Sequence, residues 1–169
     1  MHTIPDIDVP GSTLEPGDLV PDFDLAASLG RRVSRDGFKG RPFVMYFYPK
    51  ADTSGCTRQA CDFEQALAAL NDAGAKAGLA LVGVSRDPLK AIDRFAAKYT
   101  LTFPLASDAD GTVVEAYGVW TEKSMYGRTY MGIDRSTFLV DGEGRLVRSW
   151  RKVKVPGHVA DVLKAAAAL

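Results

Sequence analysis

The chain has 169 residues, of which 46% are hydrophobic, and its 21 basic and 21 acidic side chains give a formal net charge of zero. This length fits one domain, or one domain with a tail, and the hydrophobic fraction is sufficient for a packed core. The balanced charge argues against nucleic acid or an anionic membrane as the main partner. No apolar run approaches the ~20 residues that span a bilayer, and the first residues lack the basic and apolar regions of a secretory signal. We therefore expect a cytoplasmic protein whose cysteines start reduced.

The first half of the chain predicts an arm and then alternating strands and helices. Residues 1–16, with three prolines, form an irregular N-terminal arm, and residues 17–169 form the domain. Short strands are expected at 23–25 and 32–34, with turns at 29–30 and 39–40. The apolar and aromatic run 42–48 predicts a strand buried on both faces, which Pro49 ends. A helix follows at 57–72, with Ala60, Phe63, Leu67 and Leu70 on one face and Gly74 and Gly78 after it.

The second half continues this alternation. It contains a buried strand at 79–84, a cap at 85–88 leading into a helix at 89–99 with Ile92, Phe95 and Ala96 inward, and a strand at 103–105. A short helix is expected at 111–117, a loop at 121–129, strands at 136–140 and 145–150 around a turn at 141–144, and a closing helix at 158–169. Alternating strands and helices predict an α/β sandwich. The direct turn between two late strands predicts a mixed central β-sheet flanked by helices.

The chain has only two cysteines, Cys56 and Cys61. Cys56 lies at the start of the helix predicted at 57–72, and Cys61 lies five residues further on. A thiol is nucleophilic as its thiolate, and the unpaired N–H groups at a helix start stabilise a negative charge. Cys56 is therefore a candidate nucleophile, although an unpaired cysteine is most often a buried structural residue. Thr53 has two possible roles: it caps the helix, or its hydroxyl points at Cys56 and orients a substrate oxygen.

The spacing of the two cysteines has a geometric consequence. Five residues along a helix correspond to a rise of ~7.5 Å and a turn of ~140°, which places the α-carbons beyond the ~7 Å that a disulfide allows. If both are helical when reduced, they bond only after local unwinding; the alternative is that Cys61 belongs to the core. A zinc site is disfavoured, because the two histidines, His2 and His158, lie far from the pair in sequence. We expect no metal and no other cofactor.

Two separated motifs resemble those of the peroxiredoxins. The pattern Pro49-x-x-x-Thr53-x-x-Cys56 resembles the family's peroxidatic motif, and the run 47–63 is similar to the bacterioferritin comigratory protein group, also called the peroxiredoxin Q group. The runs 117–123 and 130–141 are a second match, and the likeness extends from about Gly17 to the C-terminus. It departs from the group's pattern at Ser54, which often is proline, and at Asp134, which is histidine in several members.

The resemblance implies a thioredoxin-like fold and a thiol peroxidase. Cys56 would attack hydrogen peroxide or an organic hydroperoxide and become a sulfenic acid, Thr53 would hold the peroxide, and Pro49 would shield the pocket from water. Arg135 matches the arginine that stabilises the thiolate and the developing charge, which agrees with the effect of a fixed cation beside a thiolate. Without the family, a surface ion pair of Arg135 with Asp134 or Asp141 would be favoured.

The resemblance also implies how the cycle closes. Cys61 matches the resolving cysteine of many group members, which forms an intramolecular disulfide with Cys56, and thioredoxin or a similar dithiol reductant would reopen it. No cysteine lies near the C-terminus, so we do not expect an intersubunit disulfide. We expect a monomer instead. The rival hypothesis is a redox sensor, in which formation of the same disulfide changes the conformation of the surface around residues 53–63.

Aromatic side chains near the two motifs have two possible roles. Trp120 and Tyr126 either line an apolar pocket for organic peroxides or pack in the core, while core packing is expected for Tyr46 and Phe47.

Overall fold

The computed structural model describes residues 14–73 and 79–169, with side chains except those of 68–73. Nine strands and four α-helices are described there. In chain order they are β1 (Asp24–Ala27), β2 (Arg31–Ser34), β3 (Phe43–Phe47), α1 (Ser54–Ala73), β4 (Ala80–Ser85), α2 (Leu89–Tyr99), β5 (Leu105–Ser107), α3 (Thr112–Ala116), β6 (Trp120–Met125), β7 (Arg128–Ile133), β8 (Ser136–Val140), β9 (Leu146–Trp150) and α4 (His158–Ala167). No described helix is long and apolar enough to cross a bilayer.

Seven strands form one mixed sheet in the order β2-β1-β5-β4-β3-β8-β9. The central strands β3, β4 and β5 are parallel to one another, β8 pairs antiparallel with β3, and β9 pairs antiparallel with β8. The predicted α/β class with a mixed central sheet is therefore confirmed. The direct turn from β8 to β9 is held by Asp141, whose carboxylate accepts hydrogen bonds from the backbone N–H groups of Glu143 and Arg145.

The core consists of two layers, one on each face of the sheet. Strand β3 supplies both, because alternate side chains of a strand point to opposite faces: Phe43, Met45 and Phe47 join one layer, while Val44 and Tyr46 join the other. The second layer is covered by α1, α2 and α4, and the first by α3 and the base of the β6–β7 hairpin. A central strand that is buried on both faces needs apolar side chains at every position. The apolar run at 42–48 predicts such a strand, and β3 confirms it.

Three predicted elements are placed differently. The expected loop at 121–129 is wrong, because β6 and β7 pair from Trp120↔Ile133 to Met125↔Arg128. Strands with exposed side chains on both faces lack the hydrophobic alternation by which a strand is recognised. The strand expected at 103–105 begins two residues later, as β5. Phe103 lies in the loop before β5 and is buried there by packing, so an apolar residue in a loop resembles the start of a strand. Helix α1 begins at Ser54, three residues before the expected start.

The remaining expectations agree where the structure describes them. Helices α2 and α4 begin at the expected residues, and Ile92, Phe95 and Ala96 are buried. Gly74 and Gly78, the residues expected to end α1, lie outside the described residues, as does most of the predicted arm. Of that arm, Leu14 packs against the core layer that contains Phe43. The boundary at residue 16 stays a prediction.

Candidate active site

The loop between β3 and α1 leads to Cys56 and is anchored by two neighbouring segments. The backbone N–H of Ala51 donates to the Asp87 carboxylate (2.7 Å), in the segment that follows β4. The next residue, Asp52, has a positive φ of 62° and binds Lys98 and Tyr99 of α2 through its side chain. The hydrogen bond from Lys98, followed by that from Tyr99, lowers the pKa of Asp52. These contacts fix where α1 begins and therefore where Cys56 lies.

Cys56 lies in the first turn of α1 and is buried, with 1% of its surface exposed. The first intrahelical bond runs from the Thr57 N–H to the Thr53 carbonyl (2.8 Å), so Thr53 immediately precedes the helix. N–H groups of a first turn have no partner within the helix and face a negative charge placed there. Cys56 is therefore beside the positive end of the α1 dipole, in a place that excludes bulk water.

Arg135 brings a full positive charge to the thiol. It lies between β7 and β8, and its Nη2 is 3.1 Å from the Cys56 Sγ. The expected alternative, an ion pair with Asp134 or Asp141, is not present among the described residues. Arg135 and the N-terminus of α1 thereby bring positive charge to the same side chain. The arrangement can therefore stabilise negative charge that develops at this sulfur.

The second nitrogen of Arg135 contacts a residue that the sequence interpretation missed. Its Nη1 donates to the Gln59 Oε1 at 2.5 Å, and Gln59 is completely buried. The signal was present in the spacing, because Gln59 lies three residues after Cys56 and four before Phe63, on the inward face of α1. A polar residue on the buried face of a helix requires a partner, and here that partner is Arg135.

Thr53 and Pro49 lie at the outer side of the site and both are exposed. The Thr53 hydroxyl donates to the Lys50 carbonyl (2.8 Å), so its proton is not directed at Cys56. Pro49 borders a groove of about 390 Å³ between the loop and the β6–β7 hairpin. The groove is also lined by Arg86, Ala109, Trp120, Lys123, Tyr130, Met131, Gly132 and Ile133.

The aromatic side chains divide between groove and core. Trp120 lines the groove, where the Arg86 guanidinium lies 4.6 Å from its ring centre. Tyr126, in contrast, is 97% exposed at the hairpin tip, so neither of its two expected roles applies. Tyr46 and Phe47 are buried, as expected, and the Tyr46 ring stacks on Phe63 of α1 with 4.6 Å between ring centres.

Cys61 lies in the same helix as Cys56, and both thiols are free. Cys61 is half-buried, and burial, assisted by the negative charges of Asp62 and Glu64, raises the pKa of its thiol. Cys61 is therefore held mostly as the neutral thiol, whereas Cys56 is paired with a guanidinium. Within residues 14–73 and 79–169 there is no group of three or more His, Cys, Asp or Glu side chains that could hold a metal ion.

Comparisons with known proteins show which chains and structures this one resembles. The model of the AhpC/TSA family matches residues 16–149. The peroxiredoxin Bcp of Bacillus subtilis is 43% identical over 152 residues, which cover 90% of this chain and 94% of that protein. A structure of peroxiredoxin Q from Xanthomonas campestris has a TM-score of 0.82 and 42% identity, over 94% of this chain and 98% of the other.

A further solved structure, of the bacterioferritin comigratory protein of Xanthomonas campestris, is described in relation to alkyl peroxide reduction; it has a TM-score of 0.82 and 43% identity, over 92% of this chain and 96% of that one. Matches of this length and identity confirm the expected thioredoxin-like fold. The chain belongs to the AhpC/TSA family and, within it, to the peroxiredoxins of the bacterioferritin comigratory protein and peroxiredoxin Q group.

Proposed function

We propose that the chain is a thiol peroxidase that reduces hydrogen peroxide and organic hydroperoxides at Cys56. The observation that carries the proposal is the contact of 3.1 Å between Arg135 Nη2 and Cys56 Sγ at the start of α1. In the reaction the thiolate attacks one peroxide oxygen, the O–O bond breaks, and the other oxygen leaves with a proton as water or an alcohol. Cys56 is oxidised to a sulfenic acid, and the peroxide is reduced by two electrons.

Thr53 and Arg135 would bind the peroxide on either side of the sulfur. The Thr53 proton is engaged by the Lys50 carbonyl, which leaves the hydroxyl oxygen as an acceptor for the O–H of a peroxide. Arg135 would stabilise the negative charge that develops on the leaving oxygen, as fixed cations do at many active sites. Pro49, which offers no N–H to solvent, would shield this side of the sulfur from water.

The groove beside Pro49 supports the inclusion of organic hydroperoxides. Its walls include the apolar side chains of Trp120, Met131 and Ile133, and it is wide enough to admit an organic substituent. A related structure, from Xanthomonas campestris, is described in relation to alkyl peroxide reduction. We propose that the groove receives the organic part of a hydroperoxide while its O–O group reaches Cys56.

Cys61 would complete an intramolecular, atypical two-cysteine cycle. Its sulfur attacks the sulfenic sulfur of Cys56, water leaves, and a disulfide forms. A thioredoxin-type dithiol then reduces the disulfide by exchange and is itself oxidised. Both cysteines lie in α1, so the first turns of this helix must unwind in each cycle. The cycle needs no second subunit and requires a reducing compartment, which supports a cytoplasmic monomer.

The test is a steady-state assay with thioredoxin, thioredoxin reductase and either hydrogen peroxide or an alkyl hydroperoxide. Cys56→Ser should abolish peroxide consumption. Cys61→Ser, the matched control, should reduce one equivalent of peroxide and then stop, because its sulfenic acid has no internal partner. Turnover by Cys56→Ser would refute the peroxidase, and full recycling by Cys61→Ser would refute the resolving role. Slow stoichiometric oxidation of the unmodified protein would instead favour a redox sensor.

A further inference from the structure

We propose that a cavity at the end of the sheet opposite Cys56 binds a small amphiphilic anion, a carboxylate with an aliphatic tail, and that Arg31 holds the carboxylate. The cavity has a volume of about 290 Å³ and lies where β3 and β4 begin. Cys56 follows the other end of β3. This strand has five residues, so its two ends lie ~16 Å apart. The cavity is therefore a second site, separate from the groove beside Pro49.

The walls of the cavity are mostly apolar. Its floor consists of Leu79, Leu81 and Phe103, which belong to the core layer that contains Cys56. Leu67 of α1 and Phe38, which precedes β3, are half-buried at its sides. Removing an aliphatic chain from water onto such a surface is favourable. The floor and sides therefore suit the tail of an amphiphile.

Arg31 places an incompletely bonded guanidinium at the wall of the cavity. Its Nε donates to the Ser28 carbonyl (3.1 Å) and its Nη1 donates to the Thr102 carbonyl (2.9 Å). Its Nη2 is buried and has no hydrogen-bond partner among the described residues. A buried donor without an acceptor costs stability, and the cost is larger for a charged group. An oxygen atom of a bound ligand would remove this cost.

The charges around the cavity favour an anion over a neutral acceptor. Both partners of Arg31 are neutral carbonyls, and Arg31 forms no ion pair in the described part of the chain. Glu64, which lies close by, gives both of its carboxylate oxygens to Thr102 instead. Arg41 adds a second positive charge at the exposed rim, and the described lining contains no acidic residue. A carboxylate would place one oxygen at the Arg31 Nη2 and the other towards Arg41.

The floor connects the cavity to the folded core. The centre of the Phe103 ring lies 6.2 Å from that of Tyr46, which stacks on Phe63 of α1. The site therefore exists only when this layer is packed, and an unfolded chain does not have it. A ligand that binds only the folded protein raises the free energy of unfolding as its concentration increases. Binding can thus be followed both directly and through thermal stability.

The test uses octanoate as the probe. Octylamine has a tail of the same length and a positive head, and acetate has the head alone. Each is titrated into isotope-labelled protein and followed by NMR, with the unfolding temperature measured in parallel. We expect octanoate to shift the amide signals of residues 79–81 and 102–103 to saturation and to raise the unfolding temperature. Octylamine and acetate should bind at least roughly ten-fold more weakly, because each lacks one of the two attractions.

Three outcomes of this titration would overturn the proposal. The first is the absence of saturable octanoate binding. The second is equal binding of octanoate and octylamine, which would make the cavity an apolar crevice without preference for an anion. The third is a set of shifted signals around Pro49 and Cys56 in place of those at 79–81. Cys56→Ser should bind octanoate as the parent does, so the test is independent of the proposed peroxidase.

Two variants test the positive charges directly. Arg31→Gln should weaken octanoate binding roughly ten-fold, the effect of one hydrogen bond to a charged group. Arg41→Gln should weaken it roughly three-fold, because this charge is exposed to solvent. Arg32→Gln is the matched control, since Arg32 is exposed and paired with Asp24, and its affinity should equal that of the parent.

Parental affinity in Arg31→Gln would overturn the proposal. Arg31 also contacts two carbonyls, and its replacement could unfold the protein. In that event Arg41→Gln decides, because its side chain is exposed at the rim, and parental affinity in this variant would overturn the proposal in the same way.

Discussion

Arg135 combines a charge with a fixed direction, and these two properties can be separated. A lysine would keep the charge, but it has a single nitrogen, which cannot reach both Cys56 Sγ and Gln59 Oε1 in the fork geometry of a guanidinium. The contribution of direction is therefore the difference between a lysine and an arginine at position 135. The contribution of charge is the difference between a lysine and an uncharged side chain there.

We predict that Arg135→Lys slows the reaction of Cys56 with hydrogen peroxide by roughly ten- to a hundred-fold, the range of one charge-assisted hydrogen bond. Arg135→Met should be slower still. Stopped-flow fluorescence of the tryptophans during a single oxidation gives the rate, and Arg32→Lys, in an exposed ion pair with Asp24, is the control. A rate for Arg135→Lys equal to that of the parent would show that charge alone suffices.

Gln59 and Arg135 also show what a sequence does and does not predict about single residues. The motif around Cys56 is contiguous, so the nucleophile and the start of its helix can be recognised from neighbouring letters. Arg135 is 79 residues away from Cys56, and by itself it would suggest a surface ion pair with a neighbouring acid. Its role was predicted from the family resemblance and not from the local pattern. Gln59 could have been recognised from its place on the inward face.

At the scale of elements, the β6–β7 hairpin is the largest departure from the sequence prediction. Its side chains from residue 124 to 131 are all exposed, so its pairing depends on backbone hydrogen bonds and on the turn rather than on a buried face. The two turn residues, Tyr126 and Gly127, have φ values of 53° and 76°. Two successive positive φ values are typical of a type I′ turn, for which Asn-Gly is the preferred sequence.

We predict that Tyr126→Asn stabilises the protein by a few tenths to about 1 kcal/mol, because asparagine tolerates the left-handed region better than tyrosine does. Urea unfolding followed by circular dichroism measures the change. Because the Tyr126 side chain is 97% exposed and does not line the groove, peroxidase activity should be unchanged. A lower unfolding midpoint would show that the tyrosine ring makes a stabilising contact.

The contact between β3 and β4 depends on a glycine. Gly83 is the cross-strand partner of Tyr46, and a β-carbon added there would come within 2.8 Å of both the Tyr46 ring and the Leu105 side chain. We predict that Gly83→Ala destabilises the protein by about 1–3 kcal/mol, the usual cost of overpacking a core. The Tyr46 ring also stacks on Phe63 of α1, so the displacement should reach the helix that carries Cys56. An unchanged urea midpoint would contradict this packing.

At the scale of the whole molecule, His158 joins the sheet to the closing helix. It begins α4, its Nε2 lies 2.8 Å from the Thr137 Oγ1 of β8, and its ring meets the edges of Phe63 and Trp150. Burial lowers the pKa of His158 to about 4, and the nearby positive charges of Arg135 and Arg148 act in the same direction, against Asp161. The imidazole is therefore neutral at pH 7.

We predict a loss of stability as the pH falls from about 6.5 towards 4. In this window the unfolded chain protonates the imidazole, whose ordinary pKa is about 6.5, while the folded protein does not. The free energy of unfolding should fall by ~3 kcal/mol from this group, with the full value present above pH 6.5. Urea unfolding at several pH values measures it, and His158→Gln should have a weaker pH dependence across the same window. An equal slope in both proteins would contradict the prediction.

Most of the architecture follows from hydrophobic patterning, and the exceptions have physical causes. Strands β3 and β4 are buried on both faces, so their apolar runs are unambiguous. Strand β5 was predicted two residues too early because Phe103, in the loop before it, is also buried. The hydrophobic pattern of a sequence indicates which residues are buried. A buried segment is a strand only where its backbone also pairs with a neighbouring strand.

The register between β3 and β8 has a consequence for when the contact between Arg135 and Cys56 forms. Phe47 and Ser136 are cross-strand partners. The start of the loop that leads to Cys56 and the residue directly after Arg135 are therefore separated by the distance between neighbouring strands, ~4.8 Å. During synthesis, β3 and α1 emerge well before β8. Until β8 has paired with β3, no guanidinium is held beside the thiol, so this contact forms only when the last third of the molecule has folded against the first.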